Sequence, residues 1–339
     1  MDLPGRFRAE LEREESLPRG ARVLVAVSGG GDSVALLRLL AALAPERELR
    51  LEVAAVDHRT RPGTADEVRF VAELAGGLGL PFRPLVLAED GAGRNEDALR
   101  RERLRALTSA ARDGGASRIA TGHQADDAAE TVLMRLLRGA GLDGLGGIRP
   151  RHGPLFRPLL GFRRAELRDW LRGEGFRWLD DPSNDDVRRL RARVRHLLLP
   201  ALRAASPDLA GELTGTAGAL RALLQPLDAW DAAWLDRHAR QVPAGGVALP
   251  VEALRGEPEV VQGRLVRRAV ERLGVARSRL GRSCLAGVAE AVARDGSAAV
   301  VPLPGGWVAR RRGAWLELRP AEADGPAGER GGVGGGNVA

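Results

Sequence analysis

The 339-residue chain is long enough for two domains with separate hydrophobic cores, and its formal net charge of +7 favours a polyanionic partner. Its single cysteine, Cys284, excludes an intramolecular disulfide framework and a cysteine-rich metal site. The sequence contains no lysine, which excludes a Walker A nucleotide site because that loop needs a lysine beside the phosphates.

The first twenty residues are charged throughout and lack the apolar segment of a signal peptide. No run of the sequence approaches the ~20 apolar residues that a helix needs to cross a bilayer. We therefore expect a soluble, cytoplasmic protein without a membrane partner.

A glycine-rich turn follows the first predicted strand. The apolar run from Val23 to Val27 is typical of a strand in a parallel sheet, and the leucines from Leu36 to Leu43 recur at helical spacing. Between these segments lie Ser28, Gly29, Gly30, Gly31, Asp32 and Ser33. The turn could simply cap the helix through Asp32, but exposed backbone N–H groups at a helix N-terminus between a strand and a helix favour phosphate binding.

The rest of the first half alternates between predicted strands and helices. Further strands are predicted at 49–56, 82–88 and 117–123, and helices at 65–78, 95–115 and 125–139. This alternation predicts an α/β fold with a doubly wound parallel sheet that binds its ligand at the carboxyl ends of the strands. The glycine turn, Asp57-His58 and Gly122-His123 all fall at those ends.

Beyond Pro150 the pattern changes to helices separated by prolines and glycines. We predict an amphipathic helix at 163–175, a polar turn at 178–185, a basic helical linker at 187–202, and helices over 206–273 with loops at 242–246 and 255–259. Alternating segments at 298–304, 306–312 and 314–320 predict strands that close a small α+β C-terminal domain. The predicted domains are 1–205 and 206–320, followed by a disordered tail at 321–339.

The segment from Gly122 to Gly141 carries the densest group of reactive side chains. His123, Asp126 or Asp127, and Glu130 lie three or four residues apart and can share one helical face. Acids in a first turn also stabilise a helix dipole, so a capped surface helix is the alternative. Beside a nucleotide, this group suits a Mg²⁺ site and acid–base chemistry. We expect these acids to be exposed and to serve a ligand.

These motifs, taken together, resemble the PP-loop of ATP pyrophosphatases and, within that group, the tRNA(Ile)-lysidine synthetases. The matching segments, in order, are Ser28–Ser33, Asp57-His58 with Arg61-Pro62, Glu96 with Arg100 and Arg103, Gly122–Met134 with Arg138-Gly139, Arg157–Leu160, Asp181–Asn184, Arg191 with Arg195, and Leu199-Pro200. They cover Val23 to about Leu202. The chain departs from the family pattern at Leu104, usually Tyr, and at Ala192, usually Asn.

The resemblance implies an enzyme that uses ATP to adenylate the C2 oxygen of the wobble cytidine in an isoleucine tRNA with a CAU anticodon. Free lysine then displaces AMP to give lysidine. The implied nucleotide-binding residues are Ser28, Gly29, Gly30, Gly31, Asp32 and Ser33. The implied catalytic residues are Asp32, His123, Asp126, Asp127 and Glu130, with Asp32 and Asp127 as candidate Mg²⁺ ligands. The protein could act as a homodimer.

Arginines supply the expected contacts to tRNA. Arg100 and Arg103 lie three apart on one predicted helix and could bind a phosphate together. The basic helix could follow the tRNA backbone through Arg188, Arg189, Arg191, Arg193 and Arg195. The alternative for this helix is a solvated linker.

Two other functions are compatible with parts of the pattern. A tRNA thiolation enzyme of the same PP-loop group would rely on catalytic cysteines or an iron–sulfur site, and Cys284 is remote in sequence from the motifs. A non-catalytic tRNA- or nucleotide-binding protein would not need the complete set of Asp32, His123 and the three helix acids. Both alternatives are therefore less favoured than the ligase.

Overall fold

The computed structural model describes residues 2–14, 17–57, 64–87, 96–180, 190–243, 245–275, 280–294 and 299–321. The predicted features at His58, at Arg61-Pro62, at residues 181–189 and in the tail beyond 321 lie outside these ranges. Contacts divide the chain into two compact units, Met1–Arg221 and Ala222–Ala339. Each unit contains its own apolar core.

A six-stranded sheet forms the centre of the first unit. Its strands are β1 (Arg22–Ala26), β2 (Arg50–Asp57), β3 (Phe82–Val86), β4 (Arg118–Thr121), β5 (Arg151–His152) and β6 (Leu155–Phe156). Their order is β3-β2-β1-β4-β6-β5, and all neighbours are parallel except β5 and β6. The predicted parallel sheet is confirmed, and β5–β6 extends it where the sequence indicated only helices.

Helices cover both faces of this sheet. They are α1 (Leu3–Glu14), α2 (Gly31–Arg47), α3 (Thr64–Gly77), α4 (Glu96–Asp113), α5 (Ala125–Leu137), α6 (Leu142–Leu145) and α7 (Arg164–Gly173). Val23 and Val25 of β1 pack in one cluster with the leucines of α2, whereas Leu24 and Ala26 pack with Leu107 of α4 in another. Because side chains alternate across a strand, these clusters lie on opposite faces and confirm the doubly wound arrangement.

The charged N-terminal segment forms α1, a helix that the sequence analysis did not predict. Phe7 and Leu11 lie four residues apart and are 1% and 4% exposed. They join the apolar cluster that includes α2 and α7. Two well-buried side chains therefore anchor a helix whose other positions are mostly charged.

The basic linker is not one regular helix. Its described part consists of α8 (Leu190–Arg193), a π-helical turn (Val194–Leu198) and α9 (Leu199–Ala205). Pro200 has no backbone N–H and cannot donate to the carbonyl of His196, four residues earlier. This missing donor explains why the wider hydrogen-bonding pattern occurs just before Pro200.

Helix α10 (Leu209–His238) follows and runs through the boundary between the two compact units. The contacts place that boundary between Arg221 and Ala222, whereas the sequence placed it after residue 205. The difference arises because the first turns of α10 bury Ala210 and Ala217 within the first unit. In the part of the chain that the structure describes, no helix combines the length and apolar character that crossing a membrane requires.

The second unit combines an antiparallel sheet with helices. Its elements are β7 (Arg240–Val242), β8 (Gly246–Pro250), α11 (Val251–Arg255), α12 (Glu259–Arg272), α13 (Arg282–Ala293), β9 (Val300–Leu303), β10 (Trp307–Arg312) and β11 (Trp315–Pro320). The strand order is β7-β8-β11-β10-β9. The three last strands were predicted correctly. The helical prediction for 206–273 was wrong at β7–β8, because β8 is buried almost throughout and lacks the alternation that identifies a strand.

Candidate active site

The glycine turn connects β1 to α2. Gly29 has a φ of +85°, which glycine adopts without strain. Buried Ser33 holds the turn, because its Oγ accepts from the backbone N of Ser28 at 3.2 Å and donates to the carbonyl of Gly30 at 2.8 Å. Gly30 is the N-cap and Gly31 the first residue of α2, and no side chain caps the helix. The first backbone N–H groups of α2 therefore form a site suited to phosphate.

Gly122 brings the end of β4 against this turn. A Cβ atom at Gly122 would lie 3.0 Å from the backbone C and O of Asp32 and from the Cα of Ser33. Such contacts are too close for an alanine without a backbone shift. Glycine at this position therefore allows the two loops, and the helices that follow them, to approach each other directly.

Gln124 joins the glycine turn to α5. Its fully buried amide oxygen accepts from the backbone N–H groups of Asp126 and Asp127, and the Asp127 carboxylate accepts from the backbone N of Gln124 at 3.3 Å. The amide nitrogen Nε2 of Gln124 donates to Oδ2 of Asp32 at 3.4 Å. This capping arrangement orients the first turn of α5 toward Asp32.

The four predicted acids lie together but are not freely exposed. Asp126, Asp127 and Glu130 are buried, Glu130 completely, and the Asp32 side chain is 23% exposed. The expectation of exposed acids was therefore wrong. Each acid is instead paired with arginine, a pairing that offsets the cost of removing a carboxylate from water.

Arg164, the first residue of α7, contacts the acids from both α2 and α5. Its Nε lies 3.4 Å from Oδ2 of Asp32, and its Nη2 lies 3.3 Å from Oδ1 of Asp127. Burial raises the pKa of Asp32, although Arg164 opposes this effect. Burial alone would lower the pKa of Arg164, but the charges of Asp127, Asp32 and Glu130 raise it overall.

The basic linker supplies three more arginines to the acids. Nε of Arg191 donates to Glu130 and Nη2 to Asp127, both at 2.8 Å. Arg195 binds Glu130 through Nε at 2.6 Å and Nη2 at 3.0 Å. Arg203 pairs with Asp126 beside a cleft of about 450 Å³. The predicted tRNA-binding residues Arg191 and Arg195 thus lie at the acids in this structure.

His123 lies at the edge of the same site. Its Nδ1 is 3.0 Å from Oγ1 of Thr121. Burial, together with the charges of Arg157, Arg100 and Arg103, lowers the pKa of the imidazole to about 3. The ring is therefore neutral at physiological pH and acts as a hydrogen-bonding group rather than as a cation.

Positive charge is concentrated next to His123. Arg157 is 7% exposed, and its Nη1 donates to the carbonyl of Arg149 at 2.7 Å. Burial and the neighbouring Arg100 lower the pKa of Arg157 to about 10, and the same two causes lower the pKa of Arg103. Because these positively charged arginines disfavour one another, an anionic ligand that neutralises them would bind favourably here. The charges of Arg100 and Arg103 thus act on His123, while their role in binding a tRNA phosphate stays a prediction.

The carboxylates differ in how well they suit Mg²⁺. Oδ1 of Asp32 is buried without a hydrogen-bond partner in the described ranges, so it can accept a cation. Oδ1 of Asp127 is already bound by Arg191 and lies near Arg164. Within those ranges no group of three or more His, Cys, Asp or Glu side chains has the geometry of a metal site. Asp32 therefore fits the predicted role better than Asp127, since Mg²⁺ often takes few protein ligands.

Sequence reasoning missed Gln124, Arg164 and Arg203 as parts of the site. Gln124 occupies a variable position of the motif, and the two arginines lie in helices that are separated from the acids along the chain. The sequence offered no clear signal for any of the three, since glutamine is not among the residues that usually cap helices.

Comparison with known proteins identifies both parts of the chain. Residues 6–202 match a family model described as the PP-loop domain, and residues 249–316 match one described as the TilS substrate binding domain. A tRNA(Ile)-lysidine synthase of Leifsonia xyli is 38% identical over 304 residues, which cover 89% of this chain and 91% of that protein. One of Ruegeria pomeroyi is 40% identical over 278 residues, which cover 80% of this chain and 65% of that protein.

A solved structure supports the fold. The U34-tRNA thiolase of Methanococcus maripaludis, solved with its [4Fe-4S] cluster, aligns with a TM-score of 0.55 at 16% identity and covers 64% of this chain and 78% of the thiolase. At this identity the likeness concerns the fold alone. The two family models and the relative matched over nearly its whole length confirm the resemblance found in the sequence: the chain belongs to the tRNA(Ile)-lysidine synthase family of PP-loop proteins.

Proposed function

We propose that this chain catalyses ATP-dependent ligation of lysine to C2 of the wobble cytidine in tRNA(Ile) with a CAU anticodon. ATP would first adenylate the C2 oxygen of the base and release pyrophosphate. The lysine amine would then attack C2 and release AMP, leaving lysidine. A homodimer and a cytoplasmic location stay predictions from the sequence.

One observation carries this proposal. The uncapped N-terminus of α2 lies directly beside the acids of α5, with Gln124 Nε2 3.4 Å from Asp32 Oδ2. A phosphate-binding turn and a group of carboxylates therefore occupy one edge of the sheet. Adenylation of an oxygen followed by attack of an amine needs both features. The turn would bind the phosphates of ATP, and the acids would bind Mg²⁺ and the ammonium group of lysine.

The glycine turn would bind the phosphates of ATP. The backbone N–H groups at the start of α2 and the exposed hydroxyl of Ser28 supply hydrogen bonds to phosphate oxygens. Ser33 keeps the turn in shape rather than binding the ligand, because its hydroxyl is already used by Gly30 and Ser28. The turn thereby orients the α-phosphorus toward an incoming base oxygen.

The acids would bind cations next to the reacting atoms, and His123 would bind a phosphate oxygen there. Asp32, joined by Asp127 when Arg191 and Arg195 turn away, would hold Mg²⁺, which neutralises phosphate charge when bound. Neutral His123 would donate a hydrogen bond to an oxygen of the α-phosphate. The attacking amine of lysine carries a positive charge in water, and a carboxylate of this group would bind its ammonium form and accept one proton from it, so that the neutral amine can attack C2.

Arginines would hold the tRNA. Arg100, Arg103 and Arg157 form the positive region next to His123, and a phosphate of the anticodon loop would neutralise it. Arg191 and Arg195 would reach tRNA only by leaving Asp127 and Glu130. The wobble base itself would be unstacked and placed in the site, as single-stranded bases are in other RNA-binding proteins.

The thiolation alternative is disfavoured by the chemistry of Cys284. This residue lies on α13 in the second unit, and its Sγ lies 3.5 Å from the carbonyl of Pro302. Burial raises the pKa of the thiol, which disfavours the reactive thiolate. The sequence contains no second cysteine that could act in its place.

The test is to separate the two half-reactions. The purified chain is incubated with ATP, Mg²⁺ and a tRNA(Ile) transcript with the CAU anticodon, first without lysine. Pyrophosphate should be released and labelled AMP should become attached to the tRNA. Adding labelled lysine should then release AMP and transfer the label to the tRNA.

A transcript with the wobble cytidine changed to uridine is the control and should accept neither AMP nor lysine. Formation of ADP instead of AMP, or transfer of lysine without cleavage between the α and β phosphates, would contradict the proposal. Since the protein itself contains no lysine, no lysine side chain of the protein can take the place of the free amino acid in the second step.

A further inference from the structure

Arg164 contacts all four acids of the candidate site. Its guanidinium lies 3.4 Å from Asp32, 3.3 Å from Asp127 and, through Nη1, 3.8 Å from Oε1 of Glu130. Its backbone N donates to Oδ2 of Asp126 at 2.8 Å. One residue of α7 thus connects an acid of α2 with three acids of α5.

The position of Arg164 is fixed by its surroundings. It follows the N-cap residue Arg163, whose backbone N donates to the Glu166 carboxylate at 2.8 Å. Leu167 and Leu171 of the same helix are fully buried in the cluster that contains the leucines of α2. Packing of α7 on α2 therefore determines where the Arg164 side chain emerges relative to the glycine turn.

The acids need such a cation between them. Asp32 comes from one helix, and Asp127 and Glu130 from another, so their negative charges repel across the site. A guanidinium presents donors in three directions within one plane and can reach all three carboxylates, whereas an ammonium is a single point charge. Loss of Arg164 should allow the two helix starts to separate.

We infer that Arg164 is a positioning residue that holds the Asp32 carboxylate and the α5 carboxylates in one arrangement for the ATP-dependent step. This inference rests on the proposed function, in which that step is adenylation of tRNA. Arg164 acts through the acids and is not assigned a contact with ATP, lysine or tRNA. Neither the sequence motifs nor the family resemblance singled it out.

The experiment compares Arg164→Ala and Arg164→Lys with Arg163→Ala. Arg163 is the matched control, because it is adjacent, carries the same charge and pairs with Asp208 instead of the four acids. Release of pyrophosphate is measured with saturating tRNA at several ATP concentrations. R164A should lower kcat about 100-fold, as expected for a shift near 1 Å, with a smaller change in KM for ATP. R164K should be intermediate and R163A should resemble the wild type.

Added guanidinium ion provides a readout that a purely structural role would not show. At low millimolar concentration it should restore part of the R164A rate and leave R163A unchanged, while thermal unfolding establishes that each variant is folded. If R164A does not fold, R164Q takes its place with the same expected loss and rescue. The inference is overturned if the wild type is active and the kcat of R164A lies within about threefold of it. It is also overturned if R163A loses as much activity as R164A. An inactive wild type instead contradicts the proposed function.

Discussion

The Glu130 carboxylate and the Arg195 guanidinium form a two-point ion pair inside the first unit. Nε of Arg195 lies 2.6 Å from Oε1, Nη2 lies 3.0 Å from Oε2, and Glu130 has no exposed side-chain surface. Paired hydrogen bonds of this kind fix orientation as well as charge. The pair therefore ties the π-helical turn of the basic linker to α5, so that Glu130 has a structural role in addition to any role toward a ligand.

The first prediction concerns Glu130→Ala. This change leaves Arg191 and Arg195 beside a buried space without their main carboxylate, which should destabilise the protein by about 3 kcal/mol. That value is at the lower end for buried pairs, because the two arginines keep partial contact with water. Urea denaturation measures the change in the free energy of unfolding. Glu130→Gln should destabilise the protein less than Glu130→Ala, because glutamine keeps the shape of the side chain and one hydrogen-bond acceptor.

The matched control for Glu130 is the exposed pair of Asp66 and Arg69 on α3, whose side chains are 69% and 70% exposed. Asp66→Ala should change the free energy of unfolding by no more than about 1 kcal/mol. An equally small effect of E130A would show that the buried pair contributes little to the stability of the first unit.

The second prediction concerns Gly122→Ala. The added methyl group would meet the backbone of Asp32 and Ser33 at 3.0 Å, and backbone atoms cannot move aside as a flexible side chain can. The variant should lose about 1–3 kcal/mol of stability and most of its affinity for ATP, because the glycine turn must shift. Calorimetric titration with ATP and thermal unfolding measure the two effects.

Gly76→Ala provides the comparison for Gly122, since it lies within α3 and an added Cβ meets no atom within 4 Å. Replacing this helical glycine should stabilise the protein by about 0.5–1 kcal/mol. If G122A binds ATP with the affinity of the wild type, β4 and the glycine turn can move apart without affecting the ATP site.

Most of the fold of the first unit was predictable because its signals are local, whereas α1 and the short strands β5 and β6 were missed. An all-apolar run such as Val23–Val27 and a helical leucine pattern such as that of α2 each lie within one segment of sequence. The β7–β8 hairpin was missed because β8, Gly246–Pro250, is apolar without alternation and resembles part of a buried helix. Short apolar segments of this kind are ambiguous until their partners are known.

Motifs pointed to the four acids and to His123, but not to Gln124, Arg164 or Arg203, nor to the pairing of acids with arginines. Arg191 contacts Glu130 across 61 positions of sequence, and Arg164 contacts Asp32 across 132. No local pattern specifies which arginine among many will meet which acid. Sequence reasoning accordingly assigned Arg191 and Arg195 to tRNA, whereas in the structure they compensate the charge of buried carboxylates.

The third prediction concerns pH and His123. The pKa of His123 is lowered from an ordinary value of 6.5 to about 3 by burial, so between these values the unfolded chain binds a proton that the folded protein does not. The free energy of unfolding should therefore fall as the pH decreases from 6.5 toward 3. This contribution is below about 1.4 kcal/mol per pH unit, because one group binds at most one proton.

His123→Gln removes this contribution and leaves the titration of the carboxylates in place. Urea midpoints measured from pH 7 to pH 4 should decrease more steeply for the wild type than for H123Q. Parallel curves for the two proteins would mean that the imidazole is protonated equally in the folded and unfolded states, which would place it in a more solvated setting.

The last prediction concerns where the first unit ends. The first turns of α10 bury Ala210 and Ala217, each 2% exposed, and Nη1 of Arg221 donates to the carbonyl of Gly146 at 2.6 Å. A chain that stops after Arg221 keeps these contacts, whereas one that stops after Ala205 loses them. The longer fragment should therefore be more stable by about 2–4 kcal/mol in urea. Arg221→Ala in the longer fragment isolates the hydrogen bond and should account for only part of the difference. Equal urea midpoints for the two fragments would instead support the boundary that the sequence predicted after residue 205, with α10 contributing nothing to the first core.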